Sequence, residues 1–140
     1  MLAGRGENVL LKIVAEHADM WNTQGNPEQM KRLIEVIRRH GDRIGRDTGE
    51  IEKTVVITLC YRPSREVEEE AVRFTATIGR TSAEEARKQM MIGDKQECLD
   101  KIELYSRAGV THFIFMLREP FAPDEISRYA DEVIASARQG

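Results

Sequence analysis

Two hydrophobic rhythms alternate along this chain. Apolar side chains at Val9, Leu10, Ile13 and Val14 have the spacing of a helix over 8–17 with one buried face. The next helix is the best marked. Asn26 is its N-cap, Pro27 occupies the first helical position, and Gln29 completes a capping-box pattern. Met30, Leu33, Ile34, Ile37 and Ile44 line one side of it. Arg38, Arg39, His40 and Arg43 crowd its last turns, where cations suit the helix dipole, and Gly45 stops it. Helical spacing returns from Glu66 to Thr75 and from Ala83 to Met90, with Ser82 and Glu85 at capping-box spacing. It returns again after Asp94 and Glu97, with Leu99, Ile102 and Tyr105 on one side and a stop at Ala108-Gly109. A last helix is predicted from Pro123 to Ala137, with Ile126, Ala130, Val133, Ile134 and Ala137 facing inward.

Between these helices four stretches predict strands: Met1 to Ala3, Met20 to Asn22, Thr54 to Cys60 and Val110 to Leu117. The last two lack polar alternation, which predicts burial on both faces and so a parallel sheet. "RDTGEIEK" reads as a polar link, and Tyr61-Arg62-Pro63 and Arg118-Glu119-Pro120 close the two long strands. The alternation predicts an α/β fold of parallel (β/α) units. A (β/α)8 barrel needs eight such units and about 250 residues, whereas a doubly wound sheet usually has five or six strands. Four units therefore read as half a barrel. No internal repeat, low-complexity stretch or linker divides the chain, so one domain is expected over 1–140.

Composition narrows the function classes. At 41% hydrophobic and 32% charged, the 140 residues are too apolar for disorder and able to bury a sizeable core. Net charge is -3, with acidic and basic residues interleaved. No basic stripe with aromatics points to nucleic acid. No apolar run is long enough to span a membrane, and the first residues lack the pattern of a signal peptide. Cys60 and Cys98 belong to no C-x-x-C pair, and with His17, His40 and His112 they make no metal-ligand spacing. They read as reduced thiols of a cytoplasmic protein.

The strongest candidate site is the loop Ala3-Gly4-Arg5-Gly6-Glu7. Its glycines permit close backbone approach and positive φ. The helix after it directs free N–H groups and the positive dipole end into the loop. Arg5 adds a charge-assisted contact suited to phosphate. The pattern departs from the dinucleotide fingerprint, because Val9 stands where a third glycine belongs. Glu7 opposes an anion unless its carboxylate turns away to cap the helix. The competing reading is a plain strand-to-helix turn. Trp21, Asn22 and Thr23 end a strand, on what is the functional face of a barrel. Trp21 either walls a flat ring or packs under the next helix. Arg62 and Arg118 follow the two long strands and suit an anionic substrate or cofactor tail, or else are solvated or capping residues. His112 reads as a packed core histidine, Cys60 has no paired histidine, and Glu66 to Glu70 read as a solvated helix face. No serine nucleophile with a base and no carboxylate pair of defined geometry is evident.

Three stretches in order carry a family resemblance: "MLAGRGENVLLKIVAEHADMWN", "NPEQMKRLIEVIRRHGDRIGRDTGEIEKT" and "IGDKQECLDKIELYSRAGVTHFIFML". Together they resemble the bacterial-luciferase-like family of flavin- and deazaflavin-dependent oxidoreductases and monooxygenases, which are TIM barrels. The resemblance implies the C-terminal half of such a barrel, about strands five to eight, with Met1 at the end of the fifth. It implies that Ala3 to Glu7 hold a cofactor phosphate and that coenzyme F-420 is favoured, with FMN the alternative. It implies hydride transfer with a small organic substrate. Proton-transfer residues of the family belong mostly to the other half, so none is assigned here. The alternatives are a truncated relative that binds a flavin or a partner chain without catalysis, and a fragment with no function of its own. Open sheet edges beside the Val110–Leu117 strand predict dimerisation or aggregation unless a helix covers the edge, and the resemblance implies a homo-oligomer or a complementary N-terminal half-barrel as partner.

Overall fold

Parallel strands with intervening helices make up the described residues, 1–118 and 123–138 of the computed structural model. In chain order they are β1 (Leu2–Ala3), α1 (Leu10–His17), β2 (Met20–Thr23), α2 (Pro27–Ile44), a 3-10 turn (Thr48–Glu50), β3 (Glu52–Tyr61), α3 (Arg65–Gly79), α4 (Ala83–Lys88), β4 (Met90–Gly93), α5 (Lys95–Arg107), β5 (His112–Met116) and α6 (Pro123–Tyr129). A π turn over Ala130–Ile134 and a short α7 (Ala135–Ala137) follow α6. β1 pairs with β2, β2 with β3, and β3 with β4, all parallel, and β5 pairs with β3. By Cα packing the chain divides into two compact units, Met1–Val56 with Tyr105–Ile114, and Ile57–Leu104 with Phe115–Gly140.

In the first unit, α1 buries Leu11, Val14 and Ala15, while Val9 and Ile13 face solvent. The expected face of Val9, Leu10, Ile13 and Val14 is thus rotated. The helix starts at Leu10, so Val9 precedes its first turn. α2 begins as expected. Asn26 Oδ1 accepts from Gln29 N–H at 2.9 Å, and Gln29 Oε1 accepts from Asn26 N–H at 3.0 Å. Gly45 ends the helix at φ 71°. Met30, Leu33 and Ile37 are buried along α2, but Ile44 at the end of the stripe is half exposed. Gly41 takes the last buried position instead, because a Cβ there would lie 2.8 Å from Arg46 O and against the Thr48 methyl.

The polar link is more structured than its composition predicts. Arg46 donates to Ala15 O at 3.0 Å and Ala18 O at 2.7 Å, tying the link to the end of α1. β3 starts at Glu52, and the buried Lys53 turns back to donate to Thr48 O at 2.7 Å and Gly49 O at 3.1 Å. Burial holds the Lys53 ammonium below its ordinary pKa, partly offset by Asp47. Tyr105 on α5 is fully buried in this unit and donates to Gly25 O at 2.7 Å.

In the second unit, the C-terminal half of β3 pairs with β4 from Thr58–Met90 to Tyr61–Gly93. β4 corrects the expectation that helix runs to Met90. Met90 and Met91 are fully buried, Gly93 takes φ 124°, and α5 then starts with Asp94 and Glu97 capping each other. A four-residue strand is too short for its alternation to register. Cys60, Ala71, Val72, Ala86 and Met90 form a core cluster. Tyr129 stacks edge-on against Tyr61 and Phe115, at 5.4 Å and 5.2 Å between ring centres. The final helix is also corrected. The π turn inserts an extra residue into the ladder and shifts the face that follows. Tyr129 and Val133 are buried, whereas Ala130 and Ala137 are exposed.

β5 departs from the expectation for Val110 to Leu117. Phe113 and Phe115 are half-buried, while His112, Ile114 and Met116 are exposed, so one face only is covered. Glu119 and Pro120 lie outside the described residues.

Three outcomes follow from this packing. Gly41→Ala overpacks the α2–link contact and lowers unfolding free energy in urea by about 1–3 kcal/mol. Burial raises the Cys98 thiol from 9.0 to about 12. A raised acid pKa stabilises the fold fully below pH 9, and that contribution disappears as pH rises through about 12. Unfolding free energy measured against pH therefore falls more steeply over that interval for the native chain than for Cys98→Ala. Native Cys60 and Cys98 stay unmodified by thiol reagents at pH 8 until the chain unfolds, because both thiols are buried.

Candidate functional site

The β1–β2 ladder runs from Leu2–Trp21 to Ala3–Asn22 and leaves the chain at Gly4. Gly4 N–H donates to Asn22 O at 3.0 Å, and the Trp21 indole N–H donates to Gly4 O at 2.9 Å. Gly4 has φ 128°, and a Cβ on it would lie 2.5 Å from Leu10 Cδ2. The backbone conformation is what requires glycine here, and a Cβ would in addition push the end of the Leu10 side chain aside. Leu11 N–H donates to Gly6 O at 2.9 Å and closes the turn into α1.

The turn is made so that donors remain. Among the described residues, the backbone N–H groups from Arg5 to Leu10 make no hydrogen bond to a backbone carbonyl. No side chain caps α1, and its first turn holds no acidic residue. Arg5 is exposed and makes no ion pair among the described residues. Glu7 turns away, as an anion site needs, but not to cap the helix. Its carboxylate pairs with Arg32 of α2 at 3.1 Å, and His40 Nε2 donates to its carbonyl oxygen at 3.0 Å. Fixed N–H groups at a helix start, with one added cation and no internal acceptor, are a chemistry for a phosphate or carboxylate.

Trp21 is fully buried and supports this loop from below. Asn22 is half-buried, and its Oδ1 accepts from Thr54 Oγ1 at 2.9 Å. Thr54 Oγ1 also lies 3.0 Å from Trp21 O, so β3 fixes the strand end that carries the loop. Thr23 is buried, with its hydroxyl 3.4 Å from Gln24 O. The structure thus gathers Ala3 to Glu7, Trp21 and Asn22 through direct hydrogen bonds in the first unit.

Arg62 and Arg118 belong to the second unit and are engaged there. Arg62 follows β3 at φ 48°, donates its N–H to Gly93 O, pairs with Glu132 at 3.2 Å and lies over the Tyr61 ring. Glu132 also accepts from Tyr61 O–H at 2.6 Å, and Glu125 accepts from Tyr61 N–H at 2.9 Å. Burial first, then the bond to Glu132, pushes the Tyr61 phenol up to about 12. Arg118 pairs with Glu70 at 3.3 Å and stacks 4.2 Å from the Phe74 ring centre. Cys60 is buried, and its thiol is pushed up to about 11 by that burial, so it is protonated at neutral pH. His112 is exposed rather than packed in the core, with Nδ1 3.2 Å from Glu52 Oε1, because its face of β5 is uncovered.

Sequence reasoning missed Arg32, His40 and Thr54. Arg32 and His40 are two of many charged positions on a helix whose polar face gives no sign of which turns reach the loop. Thr54 looked like a β-branched strand residue, and nothing local showed that its hydroxyl would bridge to β2.

No family profile matches the sequence. No curated protein matches it either. Solved structures do. The chain is similar to a coenzyme F-420-dependent tetrahydromethanopterin reductase from Methanopyrus kandleri, at TM-score 0.69 and 20% identity over 96% of this chain and 49% of that one. It is similar to an F-420-dependent secondary alcohol dehydrogenase in complex with an F-420-acetone adduct, at TM-score 0.79 and 19% identity over 95% and 47%. A long-chain alkane monooxygenase matches at TM-score 0.67 and 15% identity over 98% and 40%. The chain spans less than half the length of each of these structures. Its parallel α/β architecture matches less than half of the fold of these structures, and the likeness is one of fold.

Proposed function

We propose that this chain binds the phosphate of a deazaflavin or flavin cofactor through Ala3, Gly4, Arg5, Gly6 and Glu7, as part of an oxidoreductase of the luciferase-like kind. The observation that carries the reading is the run of N–H groups from Arg5 to Leu10 without backbone acceptors among the described residues, on a loop whose Gly4 takes a φ of 128° that side chains strain against. That cradle fits a phosphate group. Coenzyme F-420 is the favoured cofactor and FMN the alternative. Two of the similar structures are described as F-420-dependent, which supports the preference.

The cofactor ring would supply the redox chemistry, passing a hydride to or from a small organic substrate, with oxygen insertion as the FMN variant. The chain's own residues hold and orient. Backbone N–H groups and Arg5 bind the phosphate, Trp21 and Asn22 fix the loop that presents them, and Glu7 keeps its carboxylate on Arg32. Trp21, Asn22 and Thr23 of the first unit, and in the second unit Arg62 and Arg118, are the proposed substrate-facing residues. The arginines serve an anionic group to the extent that Glu132 and Glu70 release them. Full turnover rests on a complementary N-terminal half-barrel or a second copy of the chain. The buried, unpaired Cys60 and Cys98 suit a reducing compartment such as the cytoplasm. Cofactor or partner binding without catalysis is the second reading. It is favoured by the engagement of both arginines with carboxylates.

Titration of the purified chain with FMN and with coenzyme F-420, followed by fluorescence, tests the reading. Saturable binding of either supports it, and inorganic phosphate competes. Gly4→Ala weakens that binding by about tenfold or more, equivalent to ~1.4 kcal/mol. Absence of binding to both cofactors overturns the proposal. Trp21→Phe leaves Gly4 O without its indole donor. It lowers unfolding free energy by about 1–3 kcal/mol and speeds amide exchange in the loop, measured by mass spectrometry.

A further inference from the structure

Glu7 is a carboxylate placed in the middle of an anion-binding loop, and the structure shows what keeps it from filling that loop itself. Its carboxylate reaches out to Arg32 of α2, 3.1 Å away, while His40, two turns further along α2, holds the carbonyl oxygen of the same residue at 3.0 Å. A carbonyl oxygen can only accept, so His40 Nε2 carries the proton and the backbone at residue 7 is fixed from one side. Only the side chain of Glu7 is then free to choose a partner.

It has an alternative close by. Leu10 lies three residues on, and its N–H is among those without a backbone acceptor. A side-chain oxygen accepting from the N–H three residues later is the bond that Asn26, Ser64, Ser82 and Asp94 make at the starts of other helices here. Glu7 has the same spacing to Leu10 and a longer side chain. A carboxylate also gains from the positive end of α1. An incoming phosphate and the Glu7 carboxylate therefore want the same donors.

We propose that Arg32 is a positioning residue that holds the Glu7 carboxylate off the loop, so that Glu7 does not act as a built-in competitor for the anion. The inference rests on the reading of residues 3–7 as a phosphate site. Arg32 and Glu7 are both well exposed, at 65% and 39% of their side chains, so their pairing contributes little to folding, and its removal leaves the fold intact.

Three variants of the full chain test this: Arg32→Gln, Glu7→Gln and the double variant. FMN binding is followed by fluorescence, and backbone amide exchange at residues 8–10 is followed without ligand. In Arg32→Gln the freed carboxylate occupies the loop, FMN affinity falls by about tenfold, and amide exchange at Leu10 slows. The double variant keeps the backbone N–H of residue 7, which is all that residue contributes to the phosphate, and has no carboxylate to compete; it returns both to within about twofold of the native chain. If the double variant binds FMN as weakly as Arg32→Gln, Arg32 acts on the phosphate itself or on packing, and the proposal is overturned. If the native chain binds no FMN, the phosphate reading fails by itself and the exchange arm still decides. Slower exchange in Arg32→Gln that reverses in the double variant upholds the role of Arg32. Unchanged exchange overturns it.

Discussion

The indole of Trp21 fixes the Gly4 loop. It is wholly buried, so its N–H has to find an acceptor inside the protein, and the acceptor is Gly4 O at 2.9 Å. An unsatisfied buried N–H costs about 1–3 kcal/mol, so the loop is held down by the need to satisfy a core residue. The ladder bond from Gly4 N–H to Asn22 O adds a second tie. Thr54 then anchors both Trp21 O and Asn22 Oδ1 to β3. A two-residue strand could not position a loop by its own pairing. This run of bonds does so, and among the described residues it leaves the N–H groups from Arg5 to Leu10 without backbone acceptors.

Much of this was legible in the sequence where the signal is local. The capping box at Asn26 and Gln29, the αL stop at Gly45 and the buried run of β3 all depend on neighbouring residues or on simple hydrophobic counting. The loop at Gly4 was legible for the same reason. What escaped depends on distant partners. Lys53 looked like the end of a polar link, yet its ammonium is buried because the carbonyls of Thr48 and Gly49 are aimed at it. Arg46 follows the helix stop and reads as solvent-facing, until α1 presents the carbonyls of Ala15 and Ala18. β4 is four residues long and was absorbed into the flanking helix patterns. The π turn at Ala130–Ile134 left no mark in the hydrophobic spacing, which continues through it at every third or fourth residue.

The charges of the second unit follow a different economy from those of the loop. Arg62 and Arg118, which close strands β3 and β5, are both occupied by carboxylates and by aromatic faces. The nearby thiol and phenol, Cys60 and Tyr61, are held protonated chiefly by burial. Side chains in that condition make poor nucleophiles and bases. The donors of the loop, by contrast, are backbone groups whose state does not change with pH. Under the proposed reading, such donors would hold an anion while the group attached to it carries the electron transfer.

The faces of β5 extend the argument from the site to the architecture. Phe113 packs edge-on against Tyr105, and Phe115 against Tyr129, so one side of the strand is committed to each unit's own core. The residues between them, Ile114 and Met116, remain 37% and 41% exposed. A strand apolar on both sides is the kind that parallel α/β sheets bury on both sides. A purely surface strand would alternate with polar residues instead. The sequence of β5 is therefore written for more cover than the described residues provide. The structures that share this fold are more than twice as long as the segment they share. Among the described residues the Gly4 loop is held wholly by contacts of the first unit, while Ile114 and Met116 keep one side of β5 apolar and exposed.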